Sequence, residues 1–322
     1  MMVDATVEAR PAFGSRVARG VRWGIAGAAP VVLILLVVWR WASVEAGTDV
    51  IGRADREWLV AAASAVVLTW LAGSCCQCGA TPQALPVGRV FATQVAGSFI
   101  NHVLPAGFGV AALNIRMLRR AGLTAAGATG AVGLNVAAGF VVHAVALVAL
   151  LIAFGPHLAH LSPVSLAVPA GVALAAMALA AVLAQRKMRR GGRVGEHLTE
   201  VFALSRAVLR QPGRATMLWA GSLAIPVLHI LILASVLRAL HQPAPLFGLA
   251  LIYLGASALS SMVPGPGGFG ALDVALVAAL TGAGTAAATA AAAVIGYRLL
   301  TVWIPLLPGA AIFLLLLHRR VV

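Results

Sequence analysis

Asn101-His-Val-Leu-Pro-Ala-Gly-Phe-Gly109 and Val263-Pro-Gly-Pro-Gly-Gly-Phe-Gly270 each cut an apolar run in two, and the fold follows from how these cuts are read. The motif Pro105-x-Gly-Phe-Gly109 returns as Pro266-x-Gly-Phe-Gly270, half the 322-residue chain later. An apolar arm from Val90 precedes the first cut, and a shorter arm after it ends in Arg116, Arg119 and Arg120. Around the second cut the arms are 246–263 and a short stretch to Leu280. At 1.5 Å of rise per residue, no arm crosses a ~30 Å hydrocarbon core by itself. Arginines close to both ends of the first pair favour a helical hairpin that enters the membrane from the cytoplasm and returns to it. The matched breaks in matched short arms point to an internal repeat, and interrupted helices in repeated halves are the mark of a transporter architecture.

The rest of the chain agrees with a membrane setting. Hydrophobic residues make up 61% of it and charged residues 10%, which leaves almost no soluble surface. With no strand alternation, an all-α integral membrane protein is the only reading. The net charge of +14 is carried at the ends of apolar segments, where membrane orientation accounts for it, so nucleic acid is not expected as a partner. Cys75, Cys76 and Cys78 crowd one segment and are read as small packing residues rather than a metal or redox site.

Further spans are expected at 23–42, 58–78, 124–154, 163–184 and 216–240. Residues 1–22 read as a basic cytoplasmic tail ahead of a retained signal anchor, and 23–320 as one polytopic domain. Its halves, 58–184 and 216–320, are joined by a basic cytoplasmic loop at 185–214. With the two re-entrant hairpins this gives about seven or eight membrane segments. The end stays open: 285–304 can span, Pro305 and Pro308 interrupt, and 309–317 is short before Arg319 and Arg320. Two final spans after a hairpin entering from outside would leave those arginines outside, against the positive-inside rule. Either the last segments form one kinked helix or a hairpin arm crosses.

Chemistry is expected at the breaks. Unsatisfied backbone groups in lipid cost several kcal/mol each, so they must face protein or a wet cavity. A helix that restarts after a break aims its unpaired N–H groups and positive end at the gap, which suits a phosphate. The polar neighbours are Asn101, His102, Asn114 and Arg116 at the first break, and Ser260, Ser261 and Asp273 at the second. Asp273 is the only acidic residue in any membrane segment, and its charge calls for a partner, either Arg298 or Arg116. Such a pair either locks the fold or presents an arginine to a lipid phosphate. His143 and His229 lie in apolar helices and are read as packing residues.

Several enzyme classes are excluded by what is missing. Lys187 has neither the preceding glycine nor the following Ser or Thr of a phosphate-binding loop. One membrane acid cannot form a two-carboxylate glycosidase site or hold Mg²⁺, and no Gly-x-Ser-x-Gly elbow occurs. No cofactor or metal is expected, and the chain is not read as an enzyme.

Asn101 to Gly109 with Asn114-Ile-Arg116, Val263 to Gly270 with Asp273, and Tyr297-Arg298 resemble the lysylphosphatidylglycerol synthase transmembrane region, the flippase-like domain of the multiple peptide resistance factors. Members often carry Glu where Asp273 stands. The resemblance covers about 60–320 and implies a multi-pass bacterial inner-membrane protein, its N-terminus cytoplasmic, that moves a lipid between leaflets. No synthase domain follows the membrane part in this chain, so lysyl-lipid synthesis is not expected of it. The expected partners are a lipid with a phosphate headgroup and a separate lipid-modifying enzyme or glycosyltransferase. The substrate-binding candidates are Asn101, Pro105, Gly107, Gly109, Asn114 and Arg116, then Pro264, Pro266, Gly267, Gly268, Gly270, Asp273, Tyr297 and Arg298. The expected function is flipping of an anionic phospholipid or polyprenyl-linked lipid. The rivals are a membrane enzyme acting on a polyprenyl-phosphate sugar and a non-catalytic assembly subunit.

Overall fold

Helices account for all the regular structure among the described residues of the computed structural model, which are 54–103, 108–154, 192–261, 270–319 and a few isolated positions. The tail 1–22, nearly all of segment 23–42 and the segment 163–184 lie outside them, as do Pro105, Gly107, Pro264, Pro266, Gly267 and Gly268. In chain order the helices are α1 (Arg56–Gly79), α2 (Val87–Val103), α3 (Phe108–Arg120), α4 (Ala125–Phe154), α5 (Gly192–Leu209) and α6 (Pro212–Ala239). They continue as α7 (Leu246–Ser261), α8 (Ala271–Gly282), α9 (Ala287–Arg298) and α10 (Ile304–His318), with a π-helical turn at Leu299–Trp303 joining α9 to α10. Among the described residues, four stretches are long and apolar enough to cross a membrane: Arg56–Gly79, Ala125–Ala153, Pro212–Ala239 and Ala287–His318. Leu246–Ser260 and Ala271–Gly282 are shorter apolar helices. The chain is a multi-pass membrane protein.

The central seam is α1 against α6. Asp55 N–H donates to the Ala239 carbonyl (3.0 Å) at one end, and Arg214 Nη1 donates to the Cys78 carbonyl (2.7 Å) at the other. The two helices are therefore antiparallel over their whole length. Small residues let them meet at backbone distance: a Cβ on Gly79 would lie 2.4 Å from the Leu218 nitrogen, and one on Gly221 would lie 2.7 Å from Cys76 Sγ. Between helices in lipid such close packing replaces the hydrophobic effect as the source of association. Cys76 sits in this seam, 3.6 Å from Ser222 Oγ, in the packing role its composition suggested.

Helices α2 and α3 fold back on each other. Gly109 packs on the Ile100 backbone, Val110 on Gly97, and Gln94 Nε2 donates to Asn114 Oδ1 (3.2 Å). At the open end Gln83 Nε2 donates to the Ala121 carbonyl (3.2 Å), so the connections into and out of this pair lie together. Helices α7 and α8 likewise pack against each other on either side of the second break.

Two apolar clusters divide the bundle. One joins Ala62, Leu237, Leu249, Leu280 and Ala290, near the start of α1 and the end of α6. The other joins Cys78, Leu85, Val90, Leu118 and Leu316 at the opposite end. Leu316 beside Leu85 and Leu118 brings the end of α10 to the base of the α2–α3 pair. The last segments thus form one helical stretch, Ala287–His318, and of the two alternatives left open the single interrupted helix is the one observed. The π turn explains its continuity. Pro305 lacks the N–H that an α-helix would require, and the wider turn, with Ile304 N–H donating to the Leu299 carbonyl, carries the backbone past it. The polar linker is partly helical too: α5 packs on α4, with Val201 beside Gly130 and Thr124 Oγ1 donating to Glu200.

Candidate functional site

A cavity of about 410 Å³ opens between the two apolar clusters. Every element of the central seam and of both folded-back pairs contributes to its wall. From α1 come Thr69 and Trp70, and from α2 Gln94, Ser98, Asn101 and His102. Helix α6 adds His229, α7 adds Tyr253 and Ser260, and the α9 end with its π turn adds Tyr297, Arg298 and Thr301. Val110 and Leu272 also line it, which places the first turns of α3 and α8 at the cavity. Helix α8 starts from its N-cap Gly270, so its positive end lies at this space.

Arg298 is the only Arg or Lys among the described lining residues. Its Nε donates to Asp273 Oδ1, and the pair is largely withdrawn from solvent, with side-chain exposures of 12% for Arg298 and 29% for Asp273. Asp273 Oδ2 accepts from the Gly270 N–H (3.2 Å). One carboxylate therefore caps α8 and fixes the guanidinium at once. The cap needs Gly270 at φ +90°, a backbone setting open to glycine and strained for other residues. Of the two partners considered for Asp273, Arg298 is the one bonded. Arg116 is exposed on α3 and is not part of the cavity wall.

The remaining candidates divide in the same way. Asn101 lines the cavity, and its Oδ1 is buried with no hydrogen-bond partner among the described residues. Asn114 lies behind the wall, where its Nδ2 donates to the Val110 carbonyl (2.9 Å) while its Oδ1 holds Gln94. Gly109 serves the contact of α3 with α2, since a Cβ there would meet the Ile100 carbonyl at 2.6 Å. Tyr297 is buried, and its hydroxyl shares a 2.8 Å hydrogen bond with His229 Nδ1.

His229, Tyr253, Gln94, Ser98 and Trp70 were not singled out as site residues from sequence. His229 stacks on Tyr253 with ring centroids 5.6 Å apart and 8° between planes, so the two tyrosines of the chain meet at one histidine. Trp70 Nε1 donates to Ser98 Oγ (2.8 Å), tying α1 to α2. A histidine alone in an apolar helix gives no sign of this. The available signal was the scarcity of tyrosine, one of which stands directly before Arg298.

Tyr297→Phe should keep the cavity and its ion pair while removing the His229 bond. A stability loss of about 0.5–1.5 kcal/mol is expected from thermal unfolding in detergent. An unchanged midpoint would mean that the bond is not made in the folded protein.

No curated protein matches the chain significantly. Residues 24–309, a stretch holding every wall of this cavity, match the model of the lysylphosphatidylglycerol synthase TM region, and the chain belongs to that family.

Proposed function

We propose that the chain is a lipid flippase that moves an anionic phospholipid or a polyprenyl-linked lipid between leaflets. The observation that carries this reading is the cavity lined by Arg298, whose guanidinium Asp273 holds, inside an otherwise apolar bundle. A headgroup entering hydrocarbon loses its hydration, whereas this cavity offers hydroxyls, amides and a guanidinium in place of water. Arg298 and the first turns of α3 and α8 hold the phosphate, Asp273 keeps Arg298 in position, and the lipid tails remain in the bilayer.

The helix order supports a repeated architecture. Each half runs as a long helix, two short ones and a long one: α1 to α4, then α6 to α10 with α9 and α10 as one stretch. Because α1 and α6 are antiparallel, the halves are inverted relative to each other, and the two hairpins are re-entrant from opposite faces. Arg89, Arg119, Arg120, Arg210, Arg214 and Arg319 gather at one end, which supports reading that end as the cytoplasmic face of a bacterial inner membrane, with the N-terminus on the same side when 23–42 is counted as a span. With 23–42 and 163–184 as further spans, the count is about seven or eight segments.

This topology is testable with single cysteines in a variant lacking Cys75, Cys76 and Cys78. Gln83→Cys and Gly122→Cys should react with an impermeant thiol reagent from the cytoplasmic side only, and Gln242→Cys and Gly284→Cys from the opposite side only. Labelling of Gln83→Cys and Gln242→Cys from one side would overturn the inverted arrangement.

Function is tested by reconstituting the purified chain in vesicles with a labelled anionic lipid and following its movement between leaflets. Faster movement than in protein-free vesicles, with the lipid recovered chemically intact, is expected. Covalent change of the lipid would replace flipping with the enzyme reading. Movement only in the presence of another protein would favour the assembly subunit.

A further inference from the structure

The charges around the cavity go further than the family name. Nine acidic residues occur in the chain, and eight of them lie at Asp4, Glu8, Glu45, Asp49, Asp55, Glu57, Glu196 and Glu200, away from the apolar runs. The ninth is Asp273. The stretches 104–107, 155–191 and 262–269 contain no Asp or Glu at all, so none of them can bring another carboxylate to the cavity. Asp273 is already engaged on both oxygens, Oδ1 by Arg298 and Oδ2 by the Gly270 N–H. The aromatic rings offer a cation little either. Tyr253 is covered by the stacked His229, and Trp70 packs edge-on with Phe91 at 6.4 Å.

The other groups at the wall favour negative charge and hydroxyls. Arg298 and the start of α8 attract an anion, while Thr69, Gln94, Ser98 and Ser260 are neutral hydrogen-bonding groups. Asn101 Oδ1 is a buried acceptor with no partner among the described residues. A headgroup hydroxyl would satisfy it, and leaving such an acceptor unmet disfavours folding and binding alike.

We infer that the site selects lipids whose headgroup is a phosphate bearing neutral hydroxyls, such as glycerol or a sugar, and rejects headgroups carrying an ammonium, including the lysyl lipid of the family name. An ammonium entering beside Arg298 would meet like charge, and the one carboxylate near it, Asp273, is already engaged on both oxygens. This inference rests on the flippase reading.

The test uses the full chain in vesicles with tail-labelled lipids, so that each headgroup is native: phosphatidylglycerol, lysylphosphatidylglycerol and a polyprenyl-phosphate-linked sugar. One of the two hydroxyl-bearing lipids should move at least about tenfold faster than the lysyl lipid, and which one does so separates a diacyl from a polyprenyl substrate. Asn101→Asp, which adds a carboxylate to the wall, should narrow that ratio. Lysylphosphatidylglycerol moving as fast as both others would overturn the selectivity while leaving the flippase reading intact. Movement of none of the three would remove both. An unchanged ratio in an inserted Asn101→Asp protein would overturn the place given to Asn101.

Discussion

Arg298→Ala should reduce lipid movement in vesicles by about 10- to 100-fold, the weight of a charge-assisted hydrogen bond of ~1.5–3 kcal/mol to a phosphate. The same change leaves Asp273 without its cation, so lost transport could be mistaken for lost folding. Removing the counter-charge as well separates the two. Asp273→Ala alone should destabilise, because it strips the α8 cap and leaves Arg298 without its counter-charge. In the double variant Arg298→Ala/Asp273→Ala neither charge is stranded, and its stability should exceed the sum expected from the single losses. Transport should stay absent nevertheless. A double variant that moves lipid normally would make the pair a structural fixture and remove Arg298 from the mechanism.

The second large effect concerns the seam. Gly79→Val should destabilise the protein by about 1–3 kcal/mol or more, read as a lower unfolding temperature in detergent, because the added atoms meet backbone rather than a movable side chain. A Cβ at this position stands 2.4 Å from the Leu218 nitrogen and 2.8 Å from the Arg214 carbonyl oxygen. Relief requires α1 and α6 to separate, which also stretches the bond from Arg214 Nη1 to the Cys78 carbonyl. Gly213→Ala, on α6 across the seam, is the control: nothing lies within 4 Å of its added Cβ, and a change within about 0.5 kcal/mol is expected. Equal behaviour of the two variants would mean that the seam is looser in the membrane protein than its distances imply.

Much of the fold was legible because apolar runs and breaks leave strong local marks. The breaks expected around Pro105 and Pro266 lie at 104–107 and 262–269, outside the described residues, while the arms expected on either side are helices. The span expected at 58–78 is Arg56–Gly79, and that at 216–240 is Pro212–Ala239. The latter begins earlier because Pro212 suits the first turn of a helix, and Arg214 extends from within it to the α1 carbonyls. The final stretch was harder to read. Pro305 and Pro308 look like an interruption, and the π turn that carries the helix through them has no sequence pattern of its own.

The site was half legible for a related reason. Two opposite charges in apolar segments point to each other by the cost of leaving either alone, so Asp273 and Arg298 could be paired from composition. The bond from Tyr297 to His229 spans 68 residues between neutral groups, and no comparable energetic penalty flags it. Asn114 illustrates the converse. It was chosen for polarity near a break, and it proves to be a support for Gln94 rather than part of the wall.

The unbroken course of the last helix also sets the electrical shape of the molecule. Because Ala287–His318 is a single traverse, Arg319 comes to rest at the same end as Arg89, Arg119, Arg120 and Arg210, all of them exposed. The other end mixes Arg56 and Arg238 with Asp55 and Glu57, and Arg238 is spread over the Trp58 ring, 4.7 Å from its centroid. A basic rim draws anionic lipids from the surrounding leaflet, at about 1 kcal/mol per Arg near the surface. The bilayer beside the basic end is thereby enriched in the very headgroups that carry a phosphate. On the flippase reading proposed above, local supply then favours loading from that leaflet, and salt in the surrounding buffer weakens this bias without touching the buried site.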